Sequence, residues 1–337
     1  MRAVLIGVGS IGGPLAVLMH EKGVDLDVVA HGEEKAKLIR EEGFKVTGTL
    51  GEHVERLNAH ASIDELSGTY DVCFIATKYQ QMPELAREIT LHLNENSLVV
   101  SLQNGIVTDL LAKEVGENRT VACMIGIGAT LLAPNHVQVT AGNEFIIGMP
   151  YRENTPEVYE VAKLMSACCP TAVEDDIIAR LYSKVIFNSC INSLAGITGK
   201  TVGSILDTKD ARRIILAIIR EGMAVADKMQ LDVPKFNMLP KFGTIAKNNN
   251  PISNAFFSNF LRIGFKVASK NVKPSTLQSL EKGNRTEIDI MNGYISAKGK
   301  ELGIPTPVND SLTKMIKDIE NGNLKIDPEN VKRVVFI

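Results

Sequence analysis

Tryptophan is missing from this 337-residue chain, and cysteine is sparse. The five cysteines, Cys73, Cys123, Cys168, Cys169 and Cys190, are an odd number with no Cys-x-x-Cys spacing. That excludes a disulfide framework and a structural zinc site and leaves reduced, buried thiols as the expectation. Six histidines are scattered without metal-ligand spacing, so no metal site is expected. Neither charge sign dominates: 37 Lys+Arg against 39 Asp+Glu give a formal net charge of -2. With the basic residues dispersed, no nucleic-acid or anionic-membrane partner is implied. No apolar run approaches the ~20 residues that span a bilayer. Met1-Arg-Ala-Val-Leu-Ile-Gly7 enters a strand directly, with no signal-peptide pattern. What remains is a 45% hydrophobic chain, enough for one large or two ordinary domains, expected in the cytoplasm.

The chain opens as strand, glycine turn and helix. Ala3 to Ile6 is a short apolar run, then come Gly7, Val8, Gly9, Ser10, Ile11 and Gly12, then a helical pattern through Lys22. In this dinucleotide fingerprint Gly7 permits the tight turn, Gly9 lets a diphosphate reach the backbone, and Gly12 lets helix and strand pack closely. The diphosphate sits on the helix N-terminus, where N–H groups and the dipole favour an anion. The second strand, Leu26 to Ala30, ends at His31-Gly32, with Glu33, Glu34, Lys35 and Lys37 beyond. An NAD site usually has an acidic residue there. A histidine with lysines nearby suits a 2′-phosphate, so NADPH is favoured, and Glu33 keeps NADH open. Asp27, inside the strand, is expected to point elsewhere.

Further β-units follow at Val46 to Gly48 with the Val54 region, at Asp71 to Ala76 and at Ser97 to Leu102. The last two end in Thr77-Lys78 and Gln103-Asn104-Gly105. Ligands bind beyond the carboxyl ends of parallel strands, which puts Lys78 and Asn104 at the cofactor. The plainer alternatives are a solvated loop lysine and a turn asparagine. Val121 to Ala129, Val137 to Thr140 and Glu144 to Gly148 suggest antiparallel strands extending the sheet, and Cys169 to Asp176 a last strand.

Thereafter the periods are helical: Ile177 to Ala195, Ala211 to Met229, Ser275 to Leu302 and Ser311 to Ile319. Phe236 to Val272 is the least regular stretch, read as a mobile helix–loop insertion over the cleft. In the first helix Lys184, Asn188 and Asn192 recur every four residues and form one polar stripe among Val185, Ile186, Phe187, Cys190, Ile191 and Leu194. Either the stripe faces water, or something polar, such as a substrate, meets it. Thr286-Glu-Ile-Asp289 looks like an acidic first turn that opens a helix, with Glu287 and Asp289 as charges favouring the dipole. The expected fold is α/β: a Rossmann-like doubly wound sheet over residues 1–174 and an all-helical domain over residues 175–337.

Taken together, Gly7 to Gly12, Thr77-Lys78, Asn104-Gly105, Gly128-Ala129-Thr130, the Lys184 stripe and Ser275 through Thr286-Glu-Ile-Asp-Ile-Met-Asn-Gly293 resemble the ketopantoate reductases (2-dehydropantoate 2-reductases) over nearly the whole chain. The resemblance implies reduction of a 2-oxo acid with NADPH, ketopantoate to pantoate, in pantothenate and coenzyme A synthesis. It implies Lys184 as general acid, held by Glu287. Asn188, Asn192 and Ser275, with Asn104, would hold substrate. Lys78, Asn104, Ala129 and Glu287 would contact cofactor or the junction of the domains. Separately, the long carboxy-terminal helices offer apolar faces that could form a homodimer. The chain departs from the family pattern at His31, where arginine often stands, at Gln278-Ser279, in the Phe236–Pro274 insertion and in the tail from Asn321. Those departures leave open another branched 2-oxo acid, an opine-dehydrogenase-like imine reduction, or a non-catalytic NADPH sensor.

Overall fold

The computed structural model describes residues 1–236, 239–268 and 273–336, with the backbone alone for residues 263–268. Two compact units result, Met1–Ile178 and Ala179–Ile337.

The first unit carries β1 (Ala3–Ile6), β2 (Leu26–Val29), β3 (Phe44–Gly48), β4 (His53–Glu55), β5 (Asn58–His60), β6 (Tyr70–Ile75), β7 (Leu93–Ser101), β8 (Thr120–Met124), β9 (Ile127–Ala133), β10 (His136–Gly142), β11 (Phe145–Gly148) and β12 (Thr171–Val173). Between them lie α1 (Gly12–Glu21), α2 (Glu33–Glu42), α3 (Met82–Ile89), α4 (Thr108–Val115) and α5 (Pro156–Met165). Eight strands form the main sheet in the order β12-β11-β8-β7-β6-β1-β2-β5. The run from β8 to β5 is parallel, and β11 joins β8 antiparallel, as the sequence suggests. All four residues of β1 and of β2 are buried, as in a parallel sheet covered on both faces. The order reverses at β1, whose sequence successor β2 lies on one side and β6 on the other. Ligands of doubly wound sheets bind at such a switch point.

Three strand assignments need correction. Val46 to Gly48 and the Val54 region are not units of the main sheet. They are β3 and β4 of a separate four-stranded sheet, β4-β3-β10-β9, which also takes Val137 to Thr140. The reason is partnership at long range: β3 runs parallel to β10, Lys45 against His136. Its place beside β2 is taken by β5, Asn58-Ala-His60, which carries no apolar pattern. Its polar side chains turn instead to Asp27, which accepts from Asn58 Nδ2 and lies 3.3 Å from His60 Nε2. Tyr70 Oη and Arg2 Nη2 donate to the other Asp27 oxygen at 2.6 and 2.9 Å. Asp27 thus points away from the glycine turn, into a buried polar network.

The second unit holds most of α6 (Ile177–Thr198), then α7 (Val202–Ile205), α8 (Lys209–Lys228), α9 (Phe242–Lys247), α10 (Pro251–Ala268), α11 (Ser275–Glu281), α12 (Asn292–Leu302) and α13 (Pro307–Glu320). The stretch read as one helix from Ser275 to Leu302 is broken. Gly283 takes a φ of +66°, and a single tight turn at Ile288–Ile290 precedes α12. Thr286-Glu-Ile-Asp289 therefore opens no α-helix, and the first turn of α12 holds no acidic residue. Asp289 instead pairs with Lys317 on α13. In the expected insertion, α9 and α10 are regular helices. Its other parts, residues 237–238 and 269–272, lie outside the described residues. The tail returns to α6, where the Asp327 N–H and Asn330 Nδ2 donate to the Ile197 carbonyl at 3.0 and 2.9 Å, satisfying an end-of-helix acceptor.

Candidate active site

Each glycine of the opening turn does a different job. Gly7 has a φ of +100°, and a Cβ there would lie 2.9 Å from Thr77 Cγ2. A Cβ on Gly12 would lie 2.3 Å from the Gly7 carbonyl and 2.8 Å from Leu5 Cδ2, so only glycine lets α1 pack this close to β1. A Cβ on Gly9 would meet nothing within 4 Å, so the turn is open there. No side chain caps α1, and its first turn holds no acidic residue. The helix pole between Val8, Ser10 and Ile11 is left for an anion.

A cavity of about 290 Å³ adjoins the turn, lined by Gly7, Ala30, His31, Ser62, Thr77, Gln81, Glu84 and Glu88 among others. The Thr77 hydroxyl is buried there without a hydrogen-bond partner among the described residues, a cost of about 1–3 kcal/mol unless a ligand relieves it. His31 is exposed at the rim. Lys35, on the first turn of α2, donates from Nζ to the Val8 carbonyl at 2.6 Å. Burial holds its pKa below the ordinary lysine value. The motif alone does not single Lys35 out. The clue in hindsight is a lysine one helical turn past the end of β2, whose reach returns it to the turn.

At the other strand ends, Lys78 is exposed after β6 and Asn104 is half-buried after β7, beside Gly105 with a φ of +82°. Gln103, which the sequence reading passed over, joins these loops: its Nε2 donates to the Ile75 and Thr77 carbonyls at 3.0 and 3.1 Å. Ala129 is carried by a different sheet. It is half-buried on β9, paired with Val139 in the four-stranded sheet.

In the second unit two residues of the stripe on α6, Lys184 and Asn188, lie on the part of the helix that packing leaves partly accessible. From Leu181 to Thr198, Lys184, Phe187 and Asn188 are half-buried and every other residue is buried. Asn192 is 8% exposed. Its Nδ2 lies 3.4 Å from both Ser275 Oγ and Met291 Sδ, so two residues singled out 83 positions apart come together. Phe187 stacks on Phe236 with ring centroids 4.7 Å apart, walling one side of the stripe. Glu287 is half-buried just before the Ile288–Ile290 turn. No three-residue His/Cys/Asp/Glu cluster suited to a metal ion occurs among the described residues, and no helix there is long and apolar enough to cross a membrane.

A family model described as "Ketopantoate reductase PanE/ApbA" matches residues 3–151, and its partner, "Ketopantoate reductase PanE/ApbA C terminal", matches residues 176–320. The chain belongs to the ketopantoate reductase family. Among curated relatives, 2-dehydropantoate 2-reductase of Aquifex aeolicus is 26% identical over 332 residues, covering 96% of this chain and 99% of that one. Two solved structures share the fold, each at 22% identity and covering 96% of this chain and 99% of theirs. One is a PanE/ApbA family ketopantoate reductase from Ralstonia eutropha JMP134, with a TM-score of 0.81. The other is D-mandelate dehydrogenase with NADH and anilino(oxo)acetate, with a TM-score of 0.79. The first match falls in the sheet-bearing unit and the second almost wholly in the helical one.

Proposed function

We propose that the chain reduces a 2-oxo acid to a 2-hydroxy acid with a nicotinamide dinucleotide, with NADPH the favoured cofactor and ketopantoate the favoured substrate. One observation carries the reading: in a chain of this family, α6 is buried on nearly every side yet keeps a lysine and an amide, Lys184 and Asn188, half-buried on one face, with a second amide, Asn192, buried one turn further along the same stripe.

The first unit fits the cofactor. The turn at Gly9 is open, the pole of α1 is uncapped, Thr77 has an unsatisfied hydroxyl, and Lys35 holds an ammonium at the Val8 carbonyl. When bound, the nicotinamide supplies hydride to the substrate's ketone carbon. Backbone N–H groups after Gly9 receive the diphosphate, and Lys35 with His31 balances a 2′-phosphate. Lys78 and Asn104 follow the switch-point strands and contact the cofactor, with Ala129 and Glu287 proposed there too.

The rest of the chemistry belongs to α6 and its neighbours. Hydride addition leaves an alkoxide that needs a proton and charge stabilisation as it forms. Lys184 supplies both from its ammonium, and Glu287 keeps that amine protonated and oriented. Asn188, Asn192 and Ser275, with Asn104, hold the substrate carboxylate and carbonyl through amide and hydroxyl donors.

Steady-state oxidation of NADPH against a panel of 2-oxo acids tests this. Ketopantoate should give the highest kcat/KM, and a rate no better than with pyruvate or 2-oxoisovalerate would overturn that substrate. A second reading, reduction of an aryl 2-oxo acid with NADH, draws on the mandelate-type neighbour and on Glu84 and Glu88 in the cavity wall, carboxylates that disfavour a 2′-phosphate. Kinetics with phenylglyoxylate and NADH in the same panel decides between the two.

A further inference from the structure

Close packing of apolar side chains holds α6 in its socket, and directional buried contacts add specificity of rotation and register to it. Each residue of slip turns the face by about 100°, which would aim Lys184 and its amides elsewhere. Several directional contacts bear on that register, among them Tyr182 Oη donating to the Gly222 carbonyl at 3.0 Å and the tail's two donors to the Ile197 carbonyl, and one reaches the Ser189 carbonyl, next to Asn188. Asn292, the first residue of α12, donates from Nδ2 to that carbonyl at 3.3 Å and to Asn309 Oδ1 at 2.9 Å. Asn309, on α13, donates from Nδ2 to Glu221 Oε2 at 2.7 Å. Glu221, on α8, also accepts the backbone N–H groups of Val308 and Asn309 at 2.9 and 3.0 Å. Asn292 and Asn309 are both 0% exposed.

The chain has a fixed direction. A carboxylate only accepts, so Glu221 orients the Asn309 amide, whose oxygen then orients the Asn292 amide, whose nitrogen faces Ser189. Met291, the preceding residue, accepts from Asn192 through its sulfur. The Met291-Asn292 pair therefore grips α6 at two points within one turn.

We propose that Asn292 is a positioning residue which, through Asn309 and Glu221, fixes the rotation and axial setting of α6 and so the direction of Lys184, Asn188 and Asn192. It acts through α6 without touching substrate, and its role in catalysis rests on the function proposed above.

Two full-length variants test it. Asn292→Leu removes both donors at similar volume. Ile295→Ala, one turn along α12 and also 0% exposed, removes packing alone. Acetylation of Lys184 by acetic anhydride across a pH series, followed by mass spectrometry, reads the amine's surroundings without substrate. Steady-state kinetics is run beside it. Asn292→Leu is expected to change the Lys184 labelling rate about threefold or more and to lower kcat about 10–100-fold, with KM for NADPH within about twofold of wild type. Ile295→Ala should lower Tm comparably and change neither. Equal labelling in the two variants would make Asn292 a packing residue and overturn the proposal. Should Asn292→Leu fail to fold, Glu221→Gln should move the labelling the same way by a smaller factor, and wild-type labelling there overturns the proposal equally. A wild-type protein that reduced no 2-oxo acid would sink the functional reading, while the labelling comparison would still decide this one.

Discussion

In the proposed function the start of α1 offers a ligand its backbone, and α6 offers side chains. The glycine turn works because three positions lack a Cβ, and a spacing of glycines after a short apolar run is enough to announce it. The proposed α6 stripe stands out because most of the rest of that helix is buried, a property of tertiary packing and not of the local sequence. Backbone sites can be read from spacing, whereas side-chain sites wait for tertiary packing to say which face stays accessible.

The sharpest way to break the comparison is to remove the side chain at one site and the missing Cβ at the other. Lys184→Ala should lower kcat about 10²–10⁴-fold while leaving Tm and NADPH affinity near wild type, because Lys184 is half-buried and its loss opens no sealed cavity. Gly12→Val should do the reverse. Its Cβ would sit 2.3 Å from the Gly7 carbonyl, so about 1–3 kcal/mol of stability is lost, and dinucleotide binding, followed by calorimetry, goes with it.

A smaller effect sharpens the cofactor side. Lys35→Ala should weaken NADPH about tenfold and NADH much less, since a charge-assisted contact to a 2′-phosphate is worth about 1.5 kcal/mol. Equal weakening of both in a binding titration would assign Lys35 to the diphosphate. The smallest effect lies in the Asp27 network. Burial alone would raise this carboxyl, but hydrogen bonds from Tyr70, His60 and Arg2 outweigh it and hold the pKa below the ordinary 3.8. A depressed folded-state pKa contributes stability above the ordinary value that is lost as pH falls through the folded one. Denaturant midpoints should therefore drop below about pH 4, and Asp27→Asn should flatten that drop.

Several expectations failed where the partners lie far off in sequence, unlike the local glycine turn. β5 reads Asn-Ala-His and is invisible as a strand, because Asn58 and His60 are chosen for Asp27, a residue distant in sequence. β3 alternates Phe44 in, Lys45 out, Val46 in, the signature of a half-exposed strand, yet its partner β10 lies some ninety residues on. The break between Ser275 and Leu302 needed only Gly283 to be weighed as a helix end. The pairing of Asn192 with Ser275, by contrast, came from the family resemblance: no periodicity links positions on α6 and α11.

The central claim is that the ammonium of Lys184 protonates the oxygen of a reduced 2-oxo acid. Its most direct measurement is the rate of NADPH oxidation with ketopantoate for wild type and Lys184→Ala at saturating cofactor. The account predicts rapid turnover by the wild type and a loss of at least about 10²-fold in kcat for the variant; equal rates would contradict it.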